Sequence, residues 1–519
     1  MNKSDLAIIP MKGHMHSLRV LIALVVAACI AAPAVASTYL DLDDDAYAML
    51  SRLEAEGVVS TGFLSTRPIS RKAALRLLRE AEDNAEGRSA FIKDLVAVLK
   101  QRIGPEKRGE GGLKYAASVY AKYVSTNADV ITLSYYPGPA REKEHPFNYN
   151  NDGDLYERGS NYRAGLTWRL EDLGPLSLYV NPELRYSDNE EKGVLKKGYA
   201  VLGFSWVDIV LGRDSAWWGP GYHGAILLSD NAEPLTMLKF TRPEPLILPG
   251  IFKHLGPFQY TVFATRLEKD RIDHPEPYLW GMRFDFKPHP FLEIGLERTA
   301  LLGGRGRPTN AATWRHSVLG SNEHESTDNP GDQRAGFDVK LTLPFSMQPV
   351  QVYWEQAGEE DRQRNSRRPY KLANLYGLYL PRIFGFERVE LRAEYATNYY
   401  KKQPYVWYTH GTYTAGYTYN GVIMGHHMGT ASKDIFLELS YFMPEKDARL
   451  FLSYDREAHD LSGPSGEIVT VLTMTAEFAF SRQVRIKASG GYGRIKNPGN
   501  MPADAINVHQ VSSEIRYYF

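Results

Sequence analysis

The stretch GFSWVDIVLGRDSAWWGPGYHG, residues 203–224, joins a strand pattern to a loop of unusual composition. Side chains alternate over residues 200–207 with the period of a β-strand, and a second apolar run continues to Leu211. The loop that follows contains an Arg-Asp pair, two adjacent Trp residues, several Gly and Pro residues and His223. A loop this long is either functional or folded on itself.

The chemistry of this loop suits a sugar ligand. Arg213 and Asp214 can hydrogen-bond hydroxyl groups, while Trp217 and Trp218 offer flat apolar faces on which a sugar ring can stack. The same residues could instead close the loop, with the Trp side chains as wedges and Arg213–Asp214 as a structural ion pair. The residues alone leave both interpretations open.

Several segments of this region resemble the capsule assembly Wzi family of Gram-negative outer membranes. They are GRDSAWWGPGYHGAILLSDNAEP (212–234), KFTRPEP (239–245), LPGIFKHLGPF (248–258) and, earlier in the chain, GFLSTRPISRKAALRLLREAE (62–82). The resemblance covers most of the mature chain. It implies an outer-membrane β-barrel with a small helical domain on the periplasmic side, acting as a surface lectin that holds or organises capsular polysaccharide.

Composition excludes several other classes. Lys plus Arg and Asp plus Glu each number 61, and a net charge of zero argues against a general nucleic-acid binder. Cys29 is the only cysteine, so neither a disulfide framework nor a Cys-ligated metal site is available to the body of the chain. After the leader there is no apolar run of helix-spanning length, so any membrane insertion must use strands.

The first 36 residues have the pattern of a signal peptide. Lys12 and Arg19 precede an apolar core, and a small-x-small site predicts cleavage after Ala36. The run ending at Cys29 also resembles a lipobox, so lipidation of this cysteine is the alternative. Both interpretations send the protein across the inner membrane.

Residues 37–112 read as a small helical domain on the periplasmic side. Helical spacing of apolar residues predicts helices over about 43–56, 71–85 and 90–103. Ser70 is expected to cap the second helix because Pro68 stops any earlier helical turn.

From residue 113 to 519 the period changes to two, and we predict a mainly β protein, a transmembrane antiparallel barrel of about 18 strands. A soluble sandwich would alternate in the same way, but here short turns alternate with long loops, as in outer-membrane barrels. The last strand also carries alternating apolar residues up to Phe519. Residues 137–159 and 213–256 are ambiguous, since each could hide a strand or fold into the lumen.

Charged residues within the strands are expected to face the lumen, because a charge facing lipid costs about 2–4 kcal/mol at the midplane. Both signs occur, which favours a lumen crossed by ion pairs over an ion-selective pore. These residues are Arg163, Arg169, Arg185, Arg283, Glu293, Glu390, Arg392, Glu394, Glu438 and Glu477.

A second loop, residues 398–431, is rich in Tyr and poor in charge. Clustered Tyr residues can stack on sugars and offer hydroxyl groups, or can form a packed loop within an aromatic girdle. His410, His426 and His427 could bind a metal in principle, but no carboxylate or Cys accompanies them at ligand spacing. We therefore predict no metal site and no cofactor.

Enzyme motifs are incomplete. Ser-Asp-Asn occurs at 187–189 and 229–231 without the S-x-x-K motif that accompanies it in penicillin-recognising enzymes, and neither G-x-S-x-G nor a P-loop occurs. We therefore expect no chemistry, and a hydrolase would need a nucleophile and base that the sequence does not offer.

The resemblance to the Wzi family implies a capsule assembly protein of the outer membrane that binds and anchors or organises exported polysaccharide. A substrate-specific porin is the alternative. The expected partners are capsular or related surface polysaccharide, outer-membrane lipid and the polysaccharide export machinery, with no nucleic acid and a monomeric state. The residues predicted to contact polysaccharide are Arg213, Asp214, Trp217, Trp218, His223, Asn231, Glu233, Tyr405, Trp407 and Tyr408.

Overall fold

The structure is a computed structural model that describes residues 35–104, 114–134, 141–320, 331–359, 372–461, 463 and 465–519. The predicted signal peptide, except its last two residues, lies outside these ranges, as do Cys29 and Leu113.

No helix in the described part of the chain has the length and apolar character needed to cross a membrane.

Eighteen long strands within the described residues close into one antiparallel barrel, which confirms the predicted fold. The first strand pairs with both the second and the last, so the sheet has no free edge. The strands are β1 Lys114–Thr126, β2 Gly159–Leu173, β3 Leu176–Tyr186, β4 Glu191–Gly203, β5 Asp208–Asp214, β6 Leu235–Thr241, β7 Pro257–Arg266, β8 Tyr278–His289, β9 Leu292–Leu302, β10 Asp332–Leu343, β11 Val350–Glu359, β12 Leu372–Leu380, β13 Val389–Thr397, β14 Lys433–Met443, β15 Ala448–Ala458, β16 Ile468–Ala479, β17 Val484–Lys496 and β18 Ile506–Tyr518.

The alternation seen in the sequence separates an apolar outer face from a largely polar inner face. In β14, Leu437 and Leu439 point outward and are 44% and 45% exposed, while Glu438 between them is only 7% exposed. The ten charged residues predicted to face the lumen are all buried or half-buried. An apolar exterior around a polar, filled interior is the arrangement of a membrane barrel.

The two ends of the barrel differ. At one end, which we call the turn end, most neighbouring strands are joined by short connections such as 174–175 and 290–291, and residues 242–256 are the long exception. At the opposite end, the loop end, the connections are long and include residues 215–234 and 398–432.

Three helices lie at the turn end: α1 Ala46–Ala55, α2 Arg71–Asn84 and α3 Ala90–Ile103. Ser70 caps α2 as predicted, since its side chain accepts a hydrogen bond from Ala73 N at 3.1 Å. The helices pack around their own apolar core. A fourth helix, α4 Ala311–Leu319, belongs to a loop-end connection.

Buried ion pairs fasten the helices to the barrel wall. Glu54 of α1 lies 3.3 Å from Lys287 Nζ and 2.8 Å from Lys340 Nζ, and Arg52 lies 3.0 Å from Glu390. Each strand residue in these pairs comes from the turn end, so the helical domain closes that end of the barrel.

The prediction of an uninterrupted alternating run over 200–207 is wrong beyond Gly203. Phe204 N donates to Val207 O at 2.9 Å, which closes a tight turn between β4 and β5. Of the ambiguous region 137–159, the described residues begin at 141; Arg141–Glu144 pairs with Ile131–Ser134 in a short hairpin, and the described residues 145–158 contain no barrel strand.

Candidate functional site: the filled lumen and the loop end

The loop after β5, residues 215–234, which we call the Trp-Trp loop, folds into the lumen. Trp217 and Trp218 form a two-residue antiparallel pairing with Arg67 and Thr66 from the helical domain. Gly219 N also donates to Ser65 O at 2.9 Å. Two segments that enter the barrel from opposite ends therefore meet inside it.

The helical-domain segment is held to the wall by buried charges. Thr66 Oγ1 donates to Asp285 at 2.8 Å, and Ser65 N donates to Glu293 Oε1 at 3.0 Å. Arg283, which is fully buried, contacts Asp285, Glu297 and Asp338 at 2.9, 2.9 and 2.5 Å. Its single positive charge thus faces three carboxylates, an arrangement that fixes the wall of the lumen at this level.

Gly219 lies where a side chain would be strained and would displace Glu355. Its φ of +125° belongs to the region that favours glycine, and a Cβ there would lie 2.4 Å from Glu355 Oε2. Glu355 in turn accepts a hydrogen bond from Ile226 N at 2.6 Å. The Glu355 carboxylate therefore holds the Trp-Trp loop against β11. On another part of the wall, the Trp218 ring packs edge-to-face against the Phe263 ring.

The loop after β13, residues 398–432, which we call the aromatic loop, packs onto the Trp-Trp loop. Tyr408 Oη donates to Ile226 O at 2.7 Å and accepts from His426 N at 2.9 Å. Trp407 and Tyr408 are fully buried and share one apolar core with Trp218. We call the two loops together the lumen plug.

Most residues predicted to contact polysaccharide are buried within this plug or against the wall. Asn231 Nδ2 donates to Ile423 O at 3.0 Å, and both backbone N–H groups of Tyr222 and His223 donate to Glu394. The buried members of the predicted set are Asp214, Trp217, Trp218, His223, Asn231, Trp407 and Tyr408. Arg213, Glu233 and Tyr405 are half-buried.

The structural ion pair considered for Arg213 and Asp214 is wrong. Arg213 pairs with Glu233 at 2.7 Å, whereas Asp214 pairs with the buried Lys239 at 3.2 Å. Neighbouring residues of a strand project to opposite faces, so these two side chains cannot meet.

At the loop end the half-buried residues form polar contacts near the surface. Glu233 Oε2 accepts hydrogen bonds from Arg213 at 2.7 Å and from Asn420 Nδ2 at 3.3 Å. Tyr405 Oη donates to Asp460 Oδ1 at 2.7 Å. One group of contacts thus offers amide, guanidinium and carboxylate groups, and a second offers a phenol and a carboxylate, which suits the hydroxyl groups of a sugar.

The carboxyl group of Asp230, within the plug, has a raised pKa and stays protonated to a higher pH than an ordinary carboxyl group does. Burial of Asp230, together with the nearby carboxylate of Asp152, raises the pKa of Asp230 to about 7. Asp230 O also accepts a hydrogen bond from Asp152 N at 2.9 Å, so the two loops that carry these residues are joined.

Sequence reasoning placed Glu394 in the lumen but missed its contact with the plug, and it missed Glu355 and Asp285 as wall residues that hold the plug and the segment around Thr66. It also missed the pairing of Trp217 with Arg67, although both residues lie in segments singled out for their resemblance. The resemblance of both segments to the same family was the signal from which their contact could have been predicted.

Comparisons with known proteins agree with this architecture. A family model described as capsule assembly protein Wzi matches residues 140–507. The chain belongs to the Wzi capsule assembly family. A Klebsiella pneumoniae relative, described as an uncharacterized 55.8 kDa protein in the cps region, is 25% identical over 345 residues, or 66% of this chain. The match spans about 62% of that relative's length.

A solved structure extends the Wzi-family likeness to the fold. It is described as Wzi, an outer membrane protein involved in group 1 capsule assembly in Escherichia coli and a carbohydrate-binding β-barrel. The TM-score is 0.70 at 19% identity, with 93% of this chain and 100% of the other covered. At this identity the likeness establishes the Wzi barrel fold for the present chain.

Proposed function

We propose that this Wzi-family barrel lies in the outer membrane, with its turn end and helical domain in the periplasm and its loop end at the cell surface. The short connections at one end and the long ones at the other support this orientation. The helical domain would then face the export machinery, and the apolar outer face would contact lipid.

We further propose that the loop end binds exported capsular or related surface polysaccharide without chemical conversion. The observation that carries this is the lumen plug, in which family-characteristic segments close the barrel and leave polar and aromatic groups at its loop end. A closed barrel has little use as a pore, but it can present a rigid binding surface.

The ten predicted residues then divide by role. Arg213, Glu233 and Tyr405 are the members that retain exposure, so they are the ones proposed to contact the polymer. The seven buried members would hold the plug in shape. This division follows from burial, since a side chain without access to solvent cannot contact a polymer at the surface.

The decisive experiment compares cell-bound with released polysaccharide in a strain deleted for the gene. Complementation with wild type should restore the cell-bound fraction, whereas a triple R213A, E233A and Y405A variant should leave polymer in the medium with total synthesis unchanged. R388A is the matched control, because Arg388 forms an exposed ion pair with Glu445 at the turn end.

An unchanged cell-bound fraction in the deletion strain would remove the capsule role. A triple variant that retains polymer like wild type, at equal surface abundance, would instead remove only the proposed contact residues.

A further inference from the structure

A cluster of two histidines and three carboxylates lies where the lumen plug meets the barrel wall. His223 comes from the Trp-Trp loop, His427 from the aromatic loop, Asp434 from β14, and Asp455 and Glu457 from β15. All five are buried, and Glu457, at 8%, is the most exposed. We call these residues the histidine–carboxylate cluster.

The possible ligating atoms of this cluster form two overlapping groups, His223–His427–Asp434 and His427–Asp455–Glu457, and within each group they lie within 4.8 Å of one another. His223 Nε2 and His427 Nε2 each lie 3.7 Å from the same atom, Asp434 Oδ2. His223 Nε2 is also 3.3 Å from Asp455 Oδ2, and His427 Nε2 is 3.0 Å from Glu457 Oε1. Ligands bound tetrahedrally to zinc at about 2.0–2.2 Å lie about 3.3–3.6 Å from each other. The observed separations are therefore close to those of a metal coordination sphere.

Hydrogen bonding does not account for this arrangement. Neither His223 Nε2 nor His427 Nε2 has a contact with hydrogen-bond geometry, and the same holds for one oxygen each of Asp434 and Asp455. A buried polar atom without a partner costs about 1–3 kcal/mol. The two unsatisfied imidazole nitrogens face one oxygen, Asp434 Oδ2, and a cation between them would satisfy both; the unsatisfied carboxylate oxygens are Oδ1 of Asp434 and Asp455, not the Oδ2 atoms that lie nearest the histidines.

The charges of the cluster are also unusual for this lumen. Within the described part of the chain, the ion-pair contacts of Asp434, Asp455 and Glu457 all lead to histidines. Other buried carboxylates of the lumen contact Arg, as around Arg283, or accept hydrogen bonds from backbone N–H groups, as Glu355 and Glu394 do. Three buried carboxylates require compensating positive charge, and a divalent cation supplies it in a small volume.

A third histidine serves a different purpose. His426 Nε2 is also 3.7 Å from Asp434 Oδ2, but its Nδ1 accepts a hydrogen bond from Met428 N at 3.2 Å. In the neutral ring the proton is then on Nε2, which makes His426 a donor towards Asp434 rather than a metal ligand.

Neighbouring groups hold the cluster in place. The Phe436 ring stacks on His223 with a centroid separation of 3.8 Å, and His459 Nε2 lies 2.8 Å from Glu457 Oε2. Such supporting contacts orient ligands at metal sites. A small pocket borders His427 and Glu457 beside the cluster.

We propose that the histidine–carboxylate cluster binds a divalent transition-metal ion, for which zinc is the best match to imidazole and carboxylate ligands. The ion would join both plug loops to β14 and β15, so its role would be to lock the plug. The proposal does not depend on polysaccharide binding.

The test uses the full-length protein with a tag that contains no histidine, stripped with a chelator and then reloaded with zinc chloride. We expect about one zinc per chain by elemental analysis and a higher thermal unfolding temperature after reloading. An H223Q and H427Q double variant should lose at least about tenfold in zinc affinity. H254Q is the matched control, because His254 is exposed at the turn end and should bind zinc as wild type does.

Cobalt(II) provides a measurement on the wild type that does not depend on whether a variant folds. Bound cobalt should give a visible absorption spectrum that differs from that of the free ion, and zinc should displace it. The proposal is wrong if reloaded wild type holds no more zinc than the double variant, or if the cobalt spectrum is that of the free ion. D455N, a conservative replacement, should fold and bind zinc more weakly than wild type.

Discussion

Gly219 shows how one residue decides whether the plug closes. We expect G219A to destabilise the plug by about 1–3 kcal/mol, because the new methyl group would meet Glu355 and the backbone would be strained. Limited proteolysis of the loop-end segments should then cleave the Trp-Trp loop faster than in wild type.

The substitution G306A separates the two causes of destabilisation, which are the contact with Glu355 and the backbone strain. Gly306 also has a positive φ, +85°, but a Cβ there would have no atom within 4 Å. G306A should therefore show the backbone cost alone, and equal cleavage in G219A and G306A would argue against the contact with Glu355.

His145, in the loop after β1, should make stability depend on pH. Burial of this imidazole lowers its pKa from 6.5 to about 3, despite the opposing effect of Asp129. Between pH 3 and 6.5 the folded state then binds fewer protons than the unfolded state. The contribution of His145 to the free energy of unfolding is therefore complete above pH 6.5 and is lost as the pH falls towards 3. The slope should be at most about 1.4 kcal/mol per pH unit.

Urea unfolding of the detergent-solubilised protein at several pH values measures this slope. H145Q removes the titrating group and should flatten the profile between pH 6.5 and 3, while H254Q, with an exposed histidine replaced, should not. Parallel profiles for wild type and H145Q would contradict the expectation.

At the scale of elements, Glu54 is one of two buried charged residues, with Arg52, that attach α1 to the barrel. Glu54 contacts Lys287, Lys340 and Gln351, all on barrel strands. E54Q should weaken docking of the helical domain by about 3–5 kcal/mol, because removal of one partner leaves buried charge uncompensated. Protease release of the helical domain reports the change.

The control variant for E54Q is E82Q on α2, which makes the same chemical change in an exposed ion pair. Glu82 lies 2.7 Å from Lys100, but Lys100 is 60% exposed, so this pair should contribute at most about 1 kcal/mol. A helical domain that resists protease equally in E54Q and wild type would show that other contacts dominate the attachment.

At the scale of the whole molecule, a barrel this large is closed by its own loops. Barrels of about 16–18 strands can leave an aqueous channel, whereas here the lumen plug and the segment around Thr66 meet inside. We expect the purified wild type to give no steady ion conductance in a planar bilayer, in contrast to an open porin.

Replacement of residues 216–232 and 399–431 by short Gly-Ser linkers should raise the conductance. Deletion of residues 501–504, which are exposed in the loop-end connection between β17 and β18, is the control and should leave the conductance unchanged. Steady conductance of the wild type would revive the porin alternative.

The sequence predicted those features that depend on neighbours along the chain. The barrel, its strand number and the three helices at the turn end follow from periods of two and 3.6 residues, and the cap at Ser70 follows from a local hydrogen bond. The signal peptide and the division into domains stay predictions. The ten site residues were chosen by side-chain chemistry, which does not report burial.

Amino-acid order by itself determined that this chain forms a mixed-charge barrel with two unusual loops, because alternation and turn lengths are local properties. Only the tertiary structure decided that Trp217 meets Arg67 and that His223 and His427 meet Asp434. These contacts join residues far apart in the chain, and they exist only once the barrel has closed and both loops have folded back into its lumen.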